Sequence, residues 1–208
     1  MTSAREILDG LERFGIRLGL DHLRELAGEL GSPERATPAV IVAGTNGKGS
    51  VASLLAAIAS AGGLATGLYT SPHLESPEER IRVAGETIPP AALAGLLREI
   101  LATAARLGHA SPTYFEAMTL AAFLHFARRS CDFAVLEVGM GGRLDATNLA
   151  DARLAVIAAI AFDHQEFLGS TLDAIAREKA GVLRPRRPAV LSPQVPEARA
   201  ALLEEAAM

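Results

Sequence analysis

Cysteine is nearly absent from this chain of 208 residues, in which Cys131 is the single example. One cysteine excludes a disulfide bond within the chain and is typical of a reducing compartment, so we expect a cytoplasmic protein. The first residues also lack the basic and apolar pattern of a secretory signal peptide.

An excess of positive charge is absent as well. The formal net charge is -4 at pH 7, which excludes a general attraction to nucleic acid or to a membrane surface. Formal charges are missing entirely from residues 49–74. A membrane span needs about 20 mainly apolar residues, but serine, threonine and glycine interrupt this stretch repeatedly. We therefore predict a buried helix followed by a buried strand here.

Apolar side chains make up 50% of the chain, which suffices for one sizeable core. Runs of aliphatic and β-branched residues alternate with segments of helical periodicity, and this order predicts an α/β fold with a mostly parallel sheet. We expect strands at 40–43, 65–69, 133–139, 154–162 and 188–191, and a small hairpin at 79–88. Helices are predicted at 4–31 with a break at 14–19, and at 50–60, 90–107, 113–129, 171–180 and 196–208.

A glycine-rich turn joins the strand at 40–43 to the helix that follows it. Its glycines let backbone N–H groups approach a ligand closely. The unpaired N–H groups and the dipole of the helix N-terminus favour an anion. Lys48 adds a full positive charge, and Ser50 adds a hydroxyl suited to a phosphate or a metal. We therefore predict a phosphate cradle formed by Gly44, Thr45, Asn46, Gly47, Lys48, Gly49 and Ser50.

The cradle departs from the strict Walker pattern in two places. That pattern begins with a glycine, which is followed by four variable residues and then by the Gly-Lys pair. Serine or threonine comes directly after the lysine. Val42 and Gly49 occupy these two positions. A glycine-rich turn by itself can be no more than a tight connection, but a preceding strand and a following helix favour phosphate binding.

Polar side chains recur where apolar strands end. Ser71 follows the strand at 65–69, Glu137 lies near the end of the next buried strand, and His164 follows the one after it. Ligands of open α/β sheets bind at the carboxyl ends of strands, and a lone buried carboxylate is costly unless it is paired or bound to a metal. Beside a phosphate cradle, these three residues suggest Mg²⁺.

These and other polar residues also have plainer interpretations. Ser71 can cap a Ser-Pro turn, and a histidine nitrogen such as that of His164 is an unusual ligand for Mg²⁺. Glu116 suits a helix N-terminal cap, His125 suits a packed helix position, and Lys179 suits a cation near a helix C-terminus. On the residues alone these alternatives stay open.

Six stretches of the chain together resemble the folylpolyglutamate synthase and dihydrofolate synthase family of the Mur ligase superfamily. They are VAGTNGKGS (42–50), YTSPHL (69–74), ERIRVAGE (79–86), TYFE (113–116), LEVGMGGRLDATN (136–148) and FDHQEFLGSTLDAIAREKAGVLRP (162–185). They span most of the chain in the family's order and spacing. The resemblance implies a P-loop, Rossmann-like three-layer domain of the Mur ligase central-domain type.

The resemblance also implies a reaction. ATP would drive formation of an amide bond between L-glutamate and the carboxylate of dihydropteroate or a folate. In that reaction the substrate carboxylate attacks the γ-phosphate to give an acyl phosphate, and the glutamate amine then displaces phosphate. Such an enzyme mainly positions groups and neutralises developing negative charge. It uses Mg²⁺, has no nucleic-acid or membrane partner, and is expected to be a monomer.

Particular residues take roles through the same resemblance. Lys48, Lys179 and His164 become catalytic, while Ser71, Glu137 and His164 become metal ligands. Lys179 matches a lysine that family members carry as a carbamate, which would help to hold a second Mg²⁺. An amine must be neutral before it reacts with CO₂, and a desolvated site favours the neutral form. The positions that match the family's folate pocket are Arg17, Leu18, Gly19, Thr113, Asp145, Ala146 and Thr147.

Members of this family carry a second, smaller α/β domain that supplies glutamate-binding residues, and nothing in these 208 residues matches it. We therefore expect residues 1–208 to be an incomplete N-terminal ATP-binding P-loop domain, which binds nucleotide weakly and does not turn over alone. Two other classes remain open, namely a P-loop phosphotransferase or ATPase, and a non-catalytic nucleotide-binding module. A peptidoglycan-type ligase is the nearest enzymatic rival, but no pattern indicates a UDP-sugar pocket.

Overall fold

The computed structural model describes residues 2–15, 17 and 19–207. In that part of the chain, seven strands form one sheet. The strands are β1 Ala39–Ala43, β2 Thr66–Tyr69, β3 Ile81–Val83, β4 Glu86–Thr87, β5 Phe133–Glu137, β6 Ala152–Ile157 and β7 Ala189–Leu191. The α-helices are α1 Ala4–Asp9, α2 Asp21–Glu29, α3 Lys48–Ala61, α4 Pro90–Arg106, α5 Tyr114–Arg128, α6 Gln165–Leu168, α7 Leu172–Ala180 and α8 Pro196–Ala207.

The strand order across the sheet is β4-β3-β2-β5-β1-β6-β7. The five strands from β2 to β7 in this order pair in parallel, and the β3–β4 hairpin adds two antiparallel strands at one edge. The predicted mostly parallel α/β fold is thereby confirmed. Because β1 lies between β5 and β6, the chain crosses over β1 on its way from β5 to β6. Where the strand order reverses in this way, a crevice forms at the carboxyl ends of the central strands.

Helices cover both faces of the sheet and make three layers. On one face, Val40 and Val42 of β1 pack with Ala52 and Ala56 of α3. On the other face, Ile41 belongs to a core that includes α7 and α8 residues, and a larger core joins α1, α2, α4 and α5 to β2 and β5. Both faces of the central strands are therefore buried, which explains their unbroken apolar sequence.

Most predicted elements appear, with differences in their bounds. Helix α1 ends at Asp9, before the predicted break at 14–19, and strand β5 ends at Glu137 and not at residue 139 as expected. Helix α3 begins at Lys48, two residues before the expected start, so Lys48 itself lies in the first helical turn. Strand β6 ends at Ile157 and not at residue 162 as expected. Beyond Ile157, the backbone groups of Ala159 and Ala161 bond to the phosphate cradle, as described below.

The stretch without formal charges forms α3 and then β2, as predicted. In the parts of the chain that the structure describes, no helix is long and apolar enough to span a lipid bilayer.

Candidate nucleotide and metal site

The predicted phosphate cradle lies at the carboxyl end of β1, the central strand of the parallel part of the sheet. Gly44 follows β1 directly and has a φ of 141°, and a Cβ atom there would come within 2.8 Å of the Cβ of Ala158. Gly47 is the N-cap of α3. The unpaired N–H groups of the first turn of α3 therefore border the cradle, as an anion site requires.

The segment that follows β6 holds the cradle in place. The backbone N–H groups of Thr45 and Asn46 donate to the carbonyl of Ala159, at 2.8 and 3.2 Å. The Thr45 hydroxyl donates to the Ala161 carbonyl at 3.0 Å and accepts from the Ala161 N–H at 3.1 Å. These bonds give the backbone of Ala159 and Ala161 partners in the cradle, and β6 is shorter than its apolar run.

Two lysine ammonium groups form hydrogen bonds with backbone carbonyls of the cradle. Lys48 and Lys179 are the only lysines in the sequence. The Nζ of Lys48 donates to the carbonyl of Thr45 at 3.1 Å, and the Nζ of Lys179 donates to the carbonyl of Gly44 at 3.0 Å. Lys179 was predicted either as a cation at a helix end or as a site residue. The structure brings it to the cradle across 135 residues of sequence.

Lys179 is buried, with 2% of its surface exposed. Burial, and secondarily the charge of Lys48, lowers the pKa of the Lys179 amine from its usual 10.5 to about 8. A much larger share of this amine is therefore neutral near pH 8 than is usual for lysine.

Glu137 ends β5 beside the cradle and is only 4% exposed. Its carboxylate accepts a hydrogen bond from the N–H of Ser71 at 3.1 Å. Burial raises the pKa of Glu137, and the Ser71 bond and the charges of Lys48 and Arg80 oppose that effect. A Cβ atom on Gly49 would lie 3.3 Å from this carboxylate, so glycine at that position allows the carboxylate to approach α3.

The structure thus brings Ser71 and Glu137, two of the three predicted metal ligands, into contact. His164 is exposed and lies on the wall of the same cavity as Ser71 and Lys48. Its Nε2 is 3.5 Å from Asp163 Oδ1, and no hydrogen bond or ion pair joins it to Glu137 in the described part of the chain. Among the described residues, no three or more His, Cys, Asp and Glu side chains cluster as a metal site.

A cavity of about 570 Å³ extends from the cradle. Lys48 and Ser71 line one part of it. Of the predicted folate-pocket residues, Arg17, Thr113, Asp145 and Ala146 line its wall. Gly19 and Thr147 do not line it, and Leu18 lies outside the described residues.

Asp145 organises the loop that follows β5. Its Oδ2 accepts the N–H groups of Gly139 and Met140, each at 3.0 Å, and its Oδ1 accepts the N–H and the hydroxyl of Thr147 at 2.9 and 2.5 Å. Burial raises the pKa of this carboxyl, and the four hydrogen bonds oppose the rise. Thr147, which is fully buried, therefore supports the cavity wall through Asp145.

Glu116 does more than the predicted helix cap. Its carboxylate accepts the N–H of Thr113 at 2.7 Å, which confirms the cap. The same carboxylate lies 2.9 Å from the Nε2 of His22 and 3.8 Å from a guanidinium nitrogen of Arg17. It therefore links Arg17 and His22 of α2 to the start of α5 on the cavity wall.

Arg80 lines the same cavity and was not singled out from the sequence, although it lies in the ERIRVAGE stretch. Its Nε donates to the Nδ1 of His73 at 2.9 Å, and its guanidinium carbon lies 5.0 Å from the ring centroid of Tyr114. One sequence feature would have drawn attention to the site without any family. Both lysines of this arginine-rich chain lie there.

A glycine-rich turn at the carboxyl end of a central parallel strand, followed by a helix that caps it, defines an α/β domain of the P-loop type. The chain belongs to the Mur ligase family, because residues 42–189 match the model described as the Mur ligase middle domain.

Similar proteins support this assignment. The chain is 43% identical over 206 residues to a dihydrofolate synthase/folylpolyglutamate synthase of Escherichia coli (strain K12), and 38% identical over 207 residues to one of Bacillus subtilis (strain 168). These alignments cover 99% and 98% of this chain but 48% of each relative. The chain therefore spans about half the length of these relatives.

Solved structures give the same result. The structure of "E.coli FolC in complex with DHPP and ADP" matches with a TM-score of 0.92 and 40% identity, over 99% of this chain and 49% of that one. An "FPGS-AMPPCP-folate complex" matches with a TM-score of 0.92 and 37% identity, over 99% of this chain and 52% of that one.

Proposed function

We propose that this chain is the ATP-binding and folate-binding part of a ligase that joins L-glutamate to dihydropteroate or to a folate. One observation carries the proposal. A single cavity is lined by Lys48 and Ser71 beside the phosphate cradle and by Thr113 and Asp145 further along. A carboxylate that belongs to a ligand of the second region can therefore face a phosphate bound in the first.

The similar proteins favour this substrate pair. One of the similar structures is a complex with DHPP and ADP, and another is a complex with AMPPCP and folate. Transferred to this chain, the nucleotide would bind at the cradle, and the pterin portion would bind among Arg17, Thr113, Asp145 and Ala146. The apolar and aromatic part of the wall, which includes Phe115, suits a flat heteroaromatic ring.

The chain's own residues would do two things in the reaction. They would hold the substrate carboxylate against the γ-phosphate, so that attack becomes effectively intramolecular. Lys48 would neutralise negative charge that develops as the acyl phosphate forms. The glutamate amine then attacks the acyl carbon, and phosphate leaves with the bonding electrons of the C–O bond. The family resemblance assigns glutamate binding to a second domain, and the chain spans about half the length of its relatives.

Ser71, Glu137 and His164 would hold Mg²⁺, which supplies positive charge to the phosphate oxygens. The donor set at Glu137 fits a cation. This carboxylate is 4% exposed, and within the described residues its one hydrogen bond comes from the N–H of Ser71. A buried carboxylate with spare acceptor sites gains from a metal ion. The exposed His164 is the outermost member of the set.

We further propose that Lys179 is carbamylated in the active protein. Its pKa of about 8 supports this, because the neutral amine that CO₂ requires is well populated near that pH. The carbamate would replace a buried cation by an anion beside the cradle, where it can help to hold a second Mg²⁺.

Calorimetry tests the proposal on this chain. We expect Mg²⁺-ATP to bind the wild type, and Lys48→Ala and Glu137→Ala each to lose about 2–4 kcal/mol of binding free energy. Arg153→Ala is the control, because this exposed arginine lies in β6 at the other end of the sheet and makes no hydrogen bond or ion pair among the described residues. Equal losses in the control and the site variants would contradict a specific cradle.

A second titration separates a ligase from other P-loop proteins. Dihydropteroate added to the nucleotide complex should bind to the wild type and more weakly to Thr113→Val. Steady ATP hydrolysis without dihydropteroate would favour an ATPase or phosphotransferase. Nucleotide binding with no pterin binding would leave a nucleotide-binding module only.

A further inference from the structure

The loop of residues 70–80 carries Ser71 to Glu137. It begins after β2 and ends at β3. The N–H of Thr70 donates to the carbonyl of Arg80 at 3.0 Å, which closes the neck of the loop. The next residue, Ser71, donates its N–H to Glu137 at 3.1 Å. The geometry of the loop therefore decides where Ser71 lies relative to this carboxylate.

The tip of this loop has little apolar packing to hold it. Leu74 is 94% exposed, and Pro72 and Glu75 are exposed as well. Burial resumes at Pro77. A segment with so few buried contacts needs hydrogen bonds to keep one conformation.

Glu79 supplies those bonds from one carboxylate. Its Oε2 accepts the N–H of Leu74 at 2.9 Å, and its Oε1 accepts the N–H groups of Glu75 and Ser76 at 2.8 and 2.7 Å. Three consecutive backbone donors thus converge on one side chain, and hydrogen bonds to an ionised carboxylate are stronger than neutral ones. The neighbouring Arg80 fixes the other side of the loop through its bond to His73.

We propose that Glu79 is a positioning residue of the metal–nucleotide site, which holds the loop in the conformation that places Ser71 against Glu137. This inference rests on the proposed function, since it assigns a role in binding Mg²⁺ with ATP. Among the described residues, the hydrogen bonds of the Glu79 carboxylate come from the backbone of residues 74–76. A residue that orients a metal ligand in this indirect way typically changes metal affinity by about 10–100-fold when it is replaced.

The test is a thermodynamic coupling measurement. For each variant, ATP affinity is measured by calorimetry with and without Mg²⁺, and the ratio of the two constants gives the coupling. We expect Glu79→Ala to reduce the coupling about tenfold while the affinity for metal-free ATP stays unchanged. Glu79→Gln, which keeps an acceptor oxygen but not the charge, should retain part of it.

Glu75→Ala is the matched control. It removes the same charge from the same loop, but the Glu75 carboxylate makes no hydrogen bond or ion pair among the described residues. Its coupling should equal that of the wild type. A merely structural cap would instead lower the melting temperature and weaken ATP binding with and without metal to the same extent, and that result would overturn the positioning role.

Amide hydrogen exchange at Leu74, Glu75 and Ser76 provides a readout that needs no nucleotide. Exchange should accelerate in Glu79→Ala and stay unchanged in the Glu75 variant. Unchanged exchange in Glu79→Ala would overturn the inference and leave the proposed function standing. If the wild type binds no Mg²⁺-ATP at all, the proposed function fails, and the role in metal binding fails with it, whatever the exchange shows.

Discussion

A Cβ atom on Gly49 would lie 3.3 Å from Oε2 and 3.4 Å from Oε1 of Glu137. These two residues belong to different elements, since Gly49 lies in the first turn of α3 and Glu137 ends β5. A serine or threonine after Lys48, as the Walker pattern requires, would have to share this space with the carboxylate. Glycine at this position, which departs from the Walker pattern, therefore leaves room for the Glu137 carboxylate.

Replacing Gly49 by alanine should separate stability from function. Alanine favours a helix over glycine by about 1 kcal/mol, so we expect an unchanged or higher melting temperature. The new methyl group should push the Glu137 carboxylate away, and Mg²⁺-ATP affinity should fall about tenfold.

Gly95→Ala is the control for this substitution, because Gly95 lies within α4 and a Cβ atom there meets nothing within 4 Å. Its melting temperature should rise while nucleotide affinity stays the same. Undiminished Mg²⁺-ATP affinity in Gly49→Ala would show that the carboxylate can yield without loss.

Glu137→Gln should stabilise the protein without metal and abolish the effect of Mg²⁺ on ATP binding. Burial raises the pKa of Glu137 above its usual 4.5, so the charged form destabilises the folded state. That cost is present at neutral pH and disappears as the pH falls below 4.5. The melting temperature of the variant should therefore exceed that of the wild type most at pH 7, by about 2–4 °C for each 1 kcal/mol.

The exposed Glu166 of α6 provides the comparison. Glu166→Gln should change neither the melting temperature nor the Mg²⁺ dependence. A destabilised Glu137→Gln at pH 7 would mean that the carboxylate charge is well compensated in the metal-free protein.

Lys179 should titrate near pH 8. The chain has only two lysines, so a sample with ¹³C-labelled lysine gives two side-chain signals, and Lys179→Gln identifies one of them. The pKa of Lys179 is lowered from 10.5 to about 8, so the unfolded chain binds more protons than the folded chain in this window. Folding stability should therefore rise between pH 8 and 10.5, and the full cost of the buried charge applies below pH 8.

The same sample tests carbamylation. With ¹³C-labelled bicarbonate, a carbamate signal should appear as the pH approaches 8 and should be missing from Lys179→Gln. Titration of Lys179 without any carbamate signal would support the lowered pKa and reject the modification.

Thr45→Val should loosen the cradle. The Thr45 hydroxyl makes two hydrogen bonds with the backbone of Ala161, and their loss should cost about 1–3 kcal/mol. We expect a lower melting temperature and faster amide exchange at Ala161. Thr87→Val, at an exposed position of β4, should change neither. Normal protection of the Ala161 amide in Thr45→Val would mean that the backbone bonds to Ala159 suffice.

The sequence alone does not show where strand β6 ends. The residues from Ala158 to Ala161 continue the apolar run of β6. Apolar side chains do not reveal whether the backbone of their residues forms hydrogen bonds with a neighbouring strand or with a turn. Here the N–H groups of Thr45 and Asn46 take the carbonyl of Ala159. Strand β6 therefore ends before Ala159, whose carbonyl forms hydrogen bonds with the cradle.

In the folate pocket, too, the sequence predicted some features and only the structure shows others. Thr113 and Asp145 were predicted from the family resemblance, and both line the cavity. Glu116 was interpreted as a helix cap, which it is. Its second partner, His22, lies in α2, and no local pattern connects residues so far apart in the chain.

The sequence by itself determined the α/β layers and the cradle, because apolar periodicity, glycine and a helix start act over a few residues. It also placed Ser71 and Glu137 at the ends of β2 and β5, whereas His164 lies seven residues beyond the end of β6. Only the tertiary structure decided that Ser71 donates to Glu137 and that Lys179 reaches Gly44. Those contacts depend on strand order and helix packing. Their energy comes from the shared burial of distant segments, which a local pattern does not encode.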